Sequence, residues 1–227
     1  MKVVLCVPTI KKPYSQLVES LKNSTTILDD AGIEHYTVSE VGNPYISQAR
    51  NVMLRKALDI NADQIIFLDH DLSFGPQALL KLIQTEGDVV ACTYRFKKDE
   101  EEYMGTIRGD LNNYPIVRKD GCINAEWVPA GFLKVTSLAV NKFMTAYPEL
   151  CYGLKYRPYV DLFNHGAHKG LWYGEDYAFS RNWNDLGGKI WLIPNLNITH
   201  HDSEGNDYPG NYHDYMLKQP GGSEYKG

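Results

Sequence analysis

QIIFLDHD, residues 64–71, is the segment that decides the fold of this 227-residue chain. A run of apolar residues leads directly into Asp69, His70 and Asp71, which is the pattern of a buried strand that ends in charged side chains. Because residues i and i+2 of an extended strand point to the same side, Asp69 and Asp71 are expected to lie next to each other. Two neighbouring carboxylates repel, so a cation or a network of hydrogen bonds must hold them together.

Segments on both sides of this strand alternate between short apolar runs and helix-period patterns, which favours an α/β fold with a parallel sheet. The predicted strands are KVVLCVPTI, IEHYTVSEV, QIIFLDHD and DVVACTYRF. The predicted helices cover residues 13–31, 45–60 and 76–83. Ligands of such sheets bind beyond the carboxyl ends of the strands. The residues expected at that edge are Pro8, Thr9, Asp69, Asp71, Tyr94 and Arg95.

The alternation stops after Phe96. The charge run KKDEEE is predicted to be a solvated loop, and the following segment to form a hairpin that turns at Asp120-Gly121. Further elements are predicted as a strand in AGFLKV, a helix over residues 137–147, a helix within GEDYAFSRNWNDLGG and a strand in KIWLIPN. Residues 150–174 show no clear period and are predicted to be loop, and the tail 202–227 is predicted to be irregular.

The composition excludes some classes of protein. A formal net charge of -5 argues against a general nucleic-acid binder, which needs a basic face. The four cysteines show no paired spacing, which suits a reducing compartment. The N-terminus has no signal-peptide pattern, and no apolar run is long enough to cross a membrane. We therefore expect no transmembrane segment and a cytoplasmic location, in the cytoplasm of the host if the protein is viral.

Three groups of residues are candidates for a metal-diphosphate site. Asp69 and Asp71 offer the carboxylate oxygens that Mg²⁺ and Mn²⁺ prefer, although the same pattern can simply cap a turn. Glu175 and Asp176 begin a predicted helix, where the helix dipole alone also favours acidic residues. The His200-His201 pair follows a strand and can supply one imidazole to a metal, and the sequence leaves open which of the two it is.

The ordered segments PTI, ISQARN, FLDHD, PAGFLKV, YGEDYAFSRNWNDLGGKIWLIP and ITH resemble those of nucleotide-sugar glycosyltransferases of the GT-A fold. The resemblance covers residues 1–201 and is strongest to the compact, family-2-like enzymes of bacteria, phages and large DNA viruses. It implies a single GT-A domain over residues 1–227, with a Rossmann-like nucleotide-binding half on a mixed central sheet and a smaller acceptor-binding half. The implied parts are a donor half over residues 1–96, an acceptor half over residues 97–201 and the tail.

The resemblance also implies roles for site residues. Asp69 and Asp71 match the DxD motif, which binds Mn²⁺ or Mg²⁺ and through it the donor diphosphate. His200 matches a histidine that completes the metal site in some members. Asp176 matches the catalytic base of the inverting members, with Glu175 beside it in acceptor binding. The implied contacts to the donor come from Pro8, Thr9, Arg50, Asp69 and Gly131.

The implied reaction is a metal-dependent, inverting transfer of a hexosyl or deoxyhexosyl group from a nucleotide sugar to a hydroxyl of a glycan or glycoconjugate acceptor. UDP is the expected nucleotide by family frequency. Trp172 and Tyr173 are candidates to stack on the acceptor sugar, and core packing explains them equally well. A sugar nucleotidylyltransferase shares the sheet and the metal but needs a glycine-rich loop after the first strand, and PTIKKPY has no glycine. A phosphohydrolase of the haloacid dehalogenase type also places DxD after a strand, but in the first strand of its domain, whereas here the motif ends the third strand. The remaining alternative is a nucleotide-sugar or glycan-binding module without turnover.

Overall fold

The computed structural model describes residues 1–219 and contains both strands and helices. Its strands are Lys2–Thr9 (β1), Glu34–Val41 (β2), Gln64–Leu68 (β3), Leu72–Phe74 (β4), Val89–Ala91 (β5), Thr106–Ile107 (β6), Ile123–Trp127 (β7), Phe132–Thr136 (β8), Cys151–Leu154 (β9), Arg157–Val160 (β10), Gly166–His168 (β11), Leu171–Tyr173 (β12), Ile190–Leu192 (β13), Asn197–His201 (β14) and Asp207–Asn211 (β15). Its α-helices are Ser15–Asp30 (α1), Ile46–Asp59 (α2), Ala78–Gln84 (α3), Ser137–Ala146 (α4), Glu175–Asp185 (α5) and Tyr212–Lys218 (α6).

The central sheet has eight strands in the order β2-β1-β3-β8-β5-β13-β7-β6 and is mixed. Strand β1 pairs in parallel with β2 and β3, as the sequence pattern predicts. Strand β8 lies between β3 and β5 and is antiparallel to both, so β5 is not a direct neighbour of β3. The α/β class with a mixed central sheet is therefore confirmed, and the purely parallel sheet predicted for the first half is wrong at this position.

Helices cover both faces of the sheet because their apolar side chains recur at helical spacing. On one face, Met53 of α2, Phe143 of α4 and Phe179 of α5 belong to one buried cluster. On the other face, Leu17 of α1 and Leu79 of α3 belong to a second cluster. The two layers hold the sheet rigidly, so the ends of its central strands form a fixed platform for side chains.

Three sequence predictions need correction. Strand β3 ends at Leu68, and residues 69–71 form a turn rather than the end of an extended strand. The segment 150–174 is not loop, because it contains the hairpins β9–β10 and β11–β12. The tail is not wholly irregular either: β15 pairs with β14, and α6 follows it. The last part of the predicted tail, residues 220–227, lies outside the described residues.

Two further predictions concern loops. The hairpin turn at Asp120-Gly121 is confirmed, since Val117 bridges Ile123 and Gly121 has φ of +82°. The charge run KKDEEE lies in a closed loop, because the amide of Phe96 donates to the carbonyl of Glu102 over 3.0 Å.

Within residues 1–219 no helix combines the length and the apolar character needed to span a membrane.

Candidate active site

Arg50 of α2 is the centre of a buried ion cluster at the carboxyl end of β3. The side chain is 2% exposed, and its Nη2 donates to Oδ1 of Asp69 over 2.8 Å. Its Nη1 lies 3.2 Å from Oε1 of Glu175 and 3.2 Å from Oδ1 of Asp176, the first two residues of α5. The ring of Phe163 lies 5.1 Å from the guanidinium carbon. One cation therefore joins Asp69 to two adjacent carboxylates that lie far from it in the sequence.

This cluster contains more acidic than basic groups, since three carboxyl groups share one guanidinium. Burial acts to lower the pKa of Arg50, but the carboxylates outweigh it and keep this pKa above its ordinary value. Burial raises the pKa of Asp176 to about 7; Arg50 opposes this shift, and the nearby charges of Glu175 and Asp69 add to it. Asp176 therefore changes its protonation state near neutral pH.

Asp71 belongs to a different set of partners. Its carboxylate forms an ion pair with Lys97, and its Oδ2 lies 3.4 Å from Nε2 of His200. Burial acts to raise the pKa of Asp71, but the hydrogen bonds and charges of His200 and Lys97 outweigh it and hold this pKa well below its usual range. Asp71 is therefore a carboxylate that stays ionised at neutral pH.

The two adjacent histidines of β14 have different surroundings. Nδ1 of His201 lies 2.6 Å from Oδ1 of Asp207, and its Nε2 lies 2.8 Å from Oγ of Ser73, so both ring nitrogens of His201 are engaged. His200 instead presents Nε2 to Asp71. Of the pair that the sequence left open, His200 is the one whose side chain faces Asp71, whereas His201 contacts Asp71 through its backbone amide.

Gly131 and Tyr94 position the other aspartate of the turn. The hydroxyl of Tyr94 donates to Oδ2 of Asp69 over 3.1 Å, and the amide of Asp69 donates to the carbonyl of Gly131 over 2.9 Å. A Cβ atom on Gly131 would lie 2.1 Å from the Tyr94 hydroxyl oxygen and 2.3 Å from Oδ2 of Asp69. Glycine at this position therefore leaves room for the bond between Tyr94 and Asp69, while its predicted contact with the sugar stays a prediction.

Pro8 and Thr9 end β1, which is the parallel neighbour of β3, so they lie at the same edge of the sheet as the DxD turn. Thr9 is 5% exposed, and its hydroxyl has no hydrogen-bond partner within the described chain. The loop after β1 reaches the turn directly, because the amide of Tyr14 donates to the carbonyl of His70 over 2.9 Å. The nucleotide contact predicted for Pro8 and Thr9 stays a prediction.

Trp172 lies on the β11–β12 hairpin that leads into α5. Its side chain is 73% exposed, so core packing does not account for it. Tyr173 has a partner, since the guanidinium carbon of Arg181 lies 4.3 Å from its ring centre. Of the two aromatic candidates, Trp172 is the one that offers an exposed ring next to the acidic start of α5.

Lys97 and Tyr94 have roles that the sequence did not reveal. Lys97 lies in the charge run, where a lysine is ordinarily solvated, and only the closed loop brings it to Asp71. Tyr94 lies at the predicted strand end, which was the available signal, but its bond to Asp69 depends on the fold.

The residues around Asp71 suit a divalent cation in their chemistry. Nδ1 of His200 lies 2.8 Å from the carbonyl oxygen of Arg95, which can only accept, so Nδ1 carries the proton. This outer hydrogen bond is the one that orients metal-binding histidines, and it turns Nε2 toward Oδ2 of Asp71. These two atoms lie 3.4 Å apart, and a divalent cation bound there could take both as ligands in place of Lys97. Among residues 1–219 no group of three or more His, Cys, Asp or Glu side chains is arranged around one metal position.

No protein-family model matches the chain, and no curated protein matches it. Several solved structures do match the chain. A point mutant of a Drosophila β1,4-galactosyltransferase 7, in complex with manganese, UDP-Gal and xylobiose, is 16% identical with a TM-score of 0.49, over 96% of this chain and 74% of that one. GalNAc-T7 with UDP, GalNAc and Mn²⁺ is 13% identical with a TM-score of 0.47, over 87% of this chain and 43% of that one.

A nucleotidyltransferase is also among the matches. The inositol-1-phosphate CTP transferase from T. maritima is 12% identical with a TM-score of 0.43, over 88% of this chain and 89% of that one. The matches include glycosyltransferases, as the sequence resemblance predicts, and each of those named here has a TM-score below 0.5. At these identities and TM-scores the likeness carries no argument about the reaction, which depends on the site itself.

Proposed function

We propose that this chain is a metal-dependent, inverting glycosyltransferase that moves a hexosyl or deoxyhexosyl group from a UDP-sugar to a hydroxyl of a glycan or glycoconjugate. The observation that carries the proposal is the contrast between two acidic sites at one edge of the sheet. Asp71 is held ionised by His200 and Lys97, whereas the pKa of Asp176 is raised to about 7. Carboxylates whose pKa values are pushed apart are the usual sign of a division of roles.

Asp71 and His200 are the residues that would hold Mn²⁺ or Mg²⁺. A cation bound there would offset the negative charge that gathers on the departing diphosphate. Asp69 is held in place by Arg50 and Tyr94, which leaves it at the edge of the same turn for a contact with the donor. In this proposal Asp71 binds the cation directly, and Asp69 positions the donor.

Asp176 is the proposed general base. A carboxylate with a pKa near the working pH can take the proton of the acceptor hydroxyl as the new bond forms. Glu175 is adjacent and shares Nη1 of Arg50, so it is placed to orient the acceptor. The base lies on α5 and the proposed cation site on the DxD turn, so separate groups would take the acceptor proton and offset the charge of the departing diphosphate.

One assay of the wild-type protein separates this proposal from its alternatives. Incubation with a panel of UDP-sugars and Mn²⁺ should release UDP, and EDTA should abolish the release. Pyrophosphate released from a nucleoside triphosphate and a sugar phosphate would identify a nucleotidylyltransferase instead. Binding of UDP-sugars with neither product, in the presence of a broad acceptor mixture, would identify a binding module.

Lys97→Ala is expected to raise the affinity for Mn²⁺ alone by roughly threefold to tenfold, because Lys97 competes with a cation for Asp71. The measurement is a calorimetric titration of Mn²⁺ without nucleotide. Lys98→Ala is the matched control, since the neighbouring Lys98 pairs with Glu102 and not with Asp71. Weaker Mn²⁺ binding by the Lys97 variant would show that Lys97 supports the site rather than competes for it.

A further inference from the structure

A cleft to which the proposed function assigns no role lies between the start of α2 and the β9–β10 hairpin. It has a volume of about 410 Å³. The lining residues that matter for its chemistry are Tyr45, Gln48, Asn51, Tyr152, Asp161 and Asn164. None of the residues that line it belongs to the DxD turn or to the end of β1, so it is separate from the proposed donor edge.

The floor of this cleft is a fixed polar network. Asn51 is 3% exposed, and its Nδ2 donates to Oδ1 of Asp161 over 2.9 Å. Nδ2 of Asn164 donates to the other oxygen of Asp161 over 2.8 Å, and the amide of Asp161 donates to the carbonyl of Leu150. The side chains therefore hold their orientation without a ligand, as the polar groups of binding sites do.

One atom of the network lacks a partner. Oδ1 of Asn51 is buried and accepts no hydrogen bond from any described residue. A buried polar atom without a partner costs free energy, so its presence in a lined cleft calls for an explanation. A donor from a bound molecule, such as a hydroxyl group, would satisfy it.

The rim of the cleft is aromatic. Tyr45 is 65% exposed and Tyr152 is 43% exposed, and Tyr152 stacks on Tyr159 with 5.3 Å between ring centres and 17° between ring planes. Rings held in this way offer flat apolar faces with a polar tip. Amide and carboxylate groups below and tyrosine rings above suit a ligand with an apolar face and several hydroxyls, which describes a sugar ring.

The charge of the cleft argues against a nucleotide phosphate. Glu149 and Asp161 are both in the lining, and none of the described residues that line it is a lysine or an arginine. With two carboxylates and no cation among its described lining residues, the cleft disfavours an anionic ligand. The ligand is therefore neutral, or carries an amino group.

The cleft also adjoins the proposed reaction centre. Asn51 follows Arg50 on α2, and Asp161 and Asn164 flank Phe163, whose ring lies 5.1 Å from the Arg50 guanidinium carbon. We infer that this cleft is an acceptor subsite, which binds a neutral sugar unit of a glycan chain next to the unit that receives the new sugar. This inference rests on the proposed function and adds the substrate class: an oligosaccharide rather than a single sugar.

The test compares glycan retention and nucleotide binding on the same proteins. The variant is Tyr45→Ala combined with Gln48→Ala, because both residues lie at the exposed start of α2 and their loss leaves the core intact. The control is Tyr156→Ala, an 84% exposed tyrosine in the turn between β9 and β10 that does not line the cleft. The probes are an array of neutral oligosaccharides and, separately, UDP with Mn²⁺ in a calorimeter.

We expect the wild type and the Tyr156 variant to retain the same neutral oligosaccharides, and the double variant to retain them at least tenfold less. All three proteins should bind UDP equally. Equal glycan retention by the double variant would overturn the inference. So would competition by uridine for the retained glycan, because the cleft would then belong to the donor. A wild type that binds UDP but retains no neutral glycan would overturn the inference and leave the proposed function standing. A wild type that binds neither UDP nor a neutral glycan would overturn both the inference and the proposed function.

Discussion

Arg50→Met is expected to lower the free energy of unfolding by about 3–5 kcal/mol at pH 8, the usual cost of removing one partner from a buried ion cluster. Methionine keeps much of the side-chain volume next to Phe163, so the loss is mainly electrostatic. Three carboxylates, from Asp69, Glu175 and Asp176, would then face one another without their shared cation. Chemical denaturation followed by circular dichroism measures the change.

The loss should depend on pH in a defined direction. Arg50 opposes the raised pKa of Asp176, so without Arg50 this pKa rises further above its unfolded value. The folded protein then binds protons that the unfolded chain has released, so stability increases as the pH falls toward 5. The control is Arg157→Met, whose 57% exposed side chain pairs with Asp59 and should cost less than about 1 kcal/mol. An Arg50→Met loss of equal size at pH 8 and pH 5 would contradict the electrostatic account.

Asp176→Asn is expected to reduce the rate of sugar transfer by about 10²–10⁴-fold, the range for loss of a general base. UDP and Mn²⁺ binding should remain, because Asp176 contacts Arg50 and not Asp71. In the wild type, the rate should rise with pH until about pH 7, the pKa of this base, and then level off. Steady-state transfer kinetics across pH 5–9 check both expectations.

The same variant should not lose stability at pH 8. The folded pKa of Asp176, about 7, lies above its ordinary value of 3.8, so the stability that this group contributes falls as the pH rises from about 4 through 7. Asparagine removes that unfavourable ionisation, and Arg50 keeps Asp69 and Glu175 as partners. Asp185→Asn, at the exposed end of α5, is the control and should keep full activity. An Asp176 variant that transfers sugar at the wild-type rate would remove Asp176 from the mechanism.

Local patterns in the sequence predicted most of the fold because the strongly periodic elements depend on their own residues. Strands β1 to β3 and helices α1, α2, α4 and α5 follow from apolar spacing and from their flanking breakers. The position of β8 between β3 and β5 did not follow, since pairing between distant segments leaves no local signal. The same reason explains the missed strands β4 and β15, which both pair with β14.

The structure brings several of the predicted site residues together at one edge of the sheet, but the sequence did not predict their contacts. The burial of Arg50 against three carboxylates was not predicted, and its expected contact with the nucleotide stays a prediction. A signal was present: Arg50 shares a helical face with Leu54 and Ala57, both fully buried, at spacings of four and seven residues. No such signal distinguished His200 from His201. The ring nitrogens of His201 are engaged by Ser73 and Asp207, which lie on two other strands.

The most direct test of the central claim is a calorimetric titration of UDP with and without Mn²⁺, on the wild type and on Asp71→Ala. The account predicts that the wild type binds UDP tightly with Mn²⁺ and at least tenfold more weakly without it, and that the variant shows only the weak binding. Equal binding with and without Mn²⁺, or full Mn²⁺-dependent binding by the variant, would contradict it. In that case the Asp69–Asp71 turn would be a structural cap held by Arg50 and Lys97, and not a donor site.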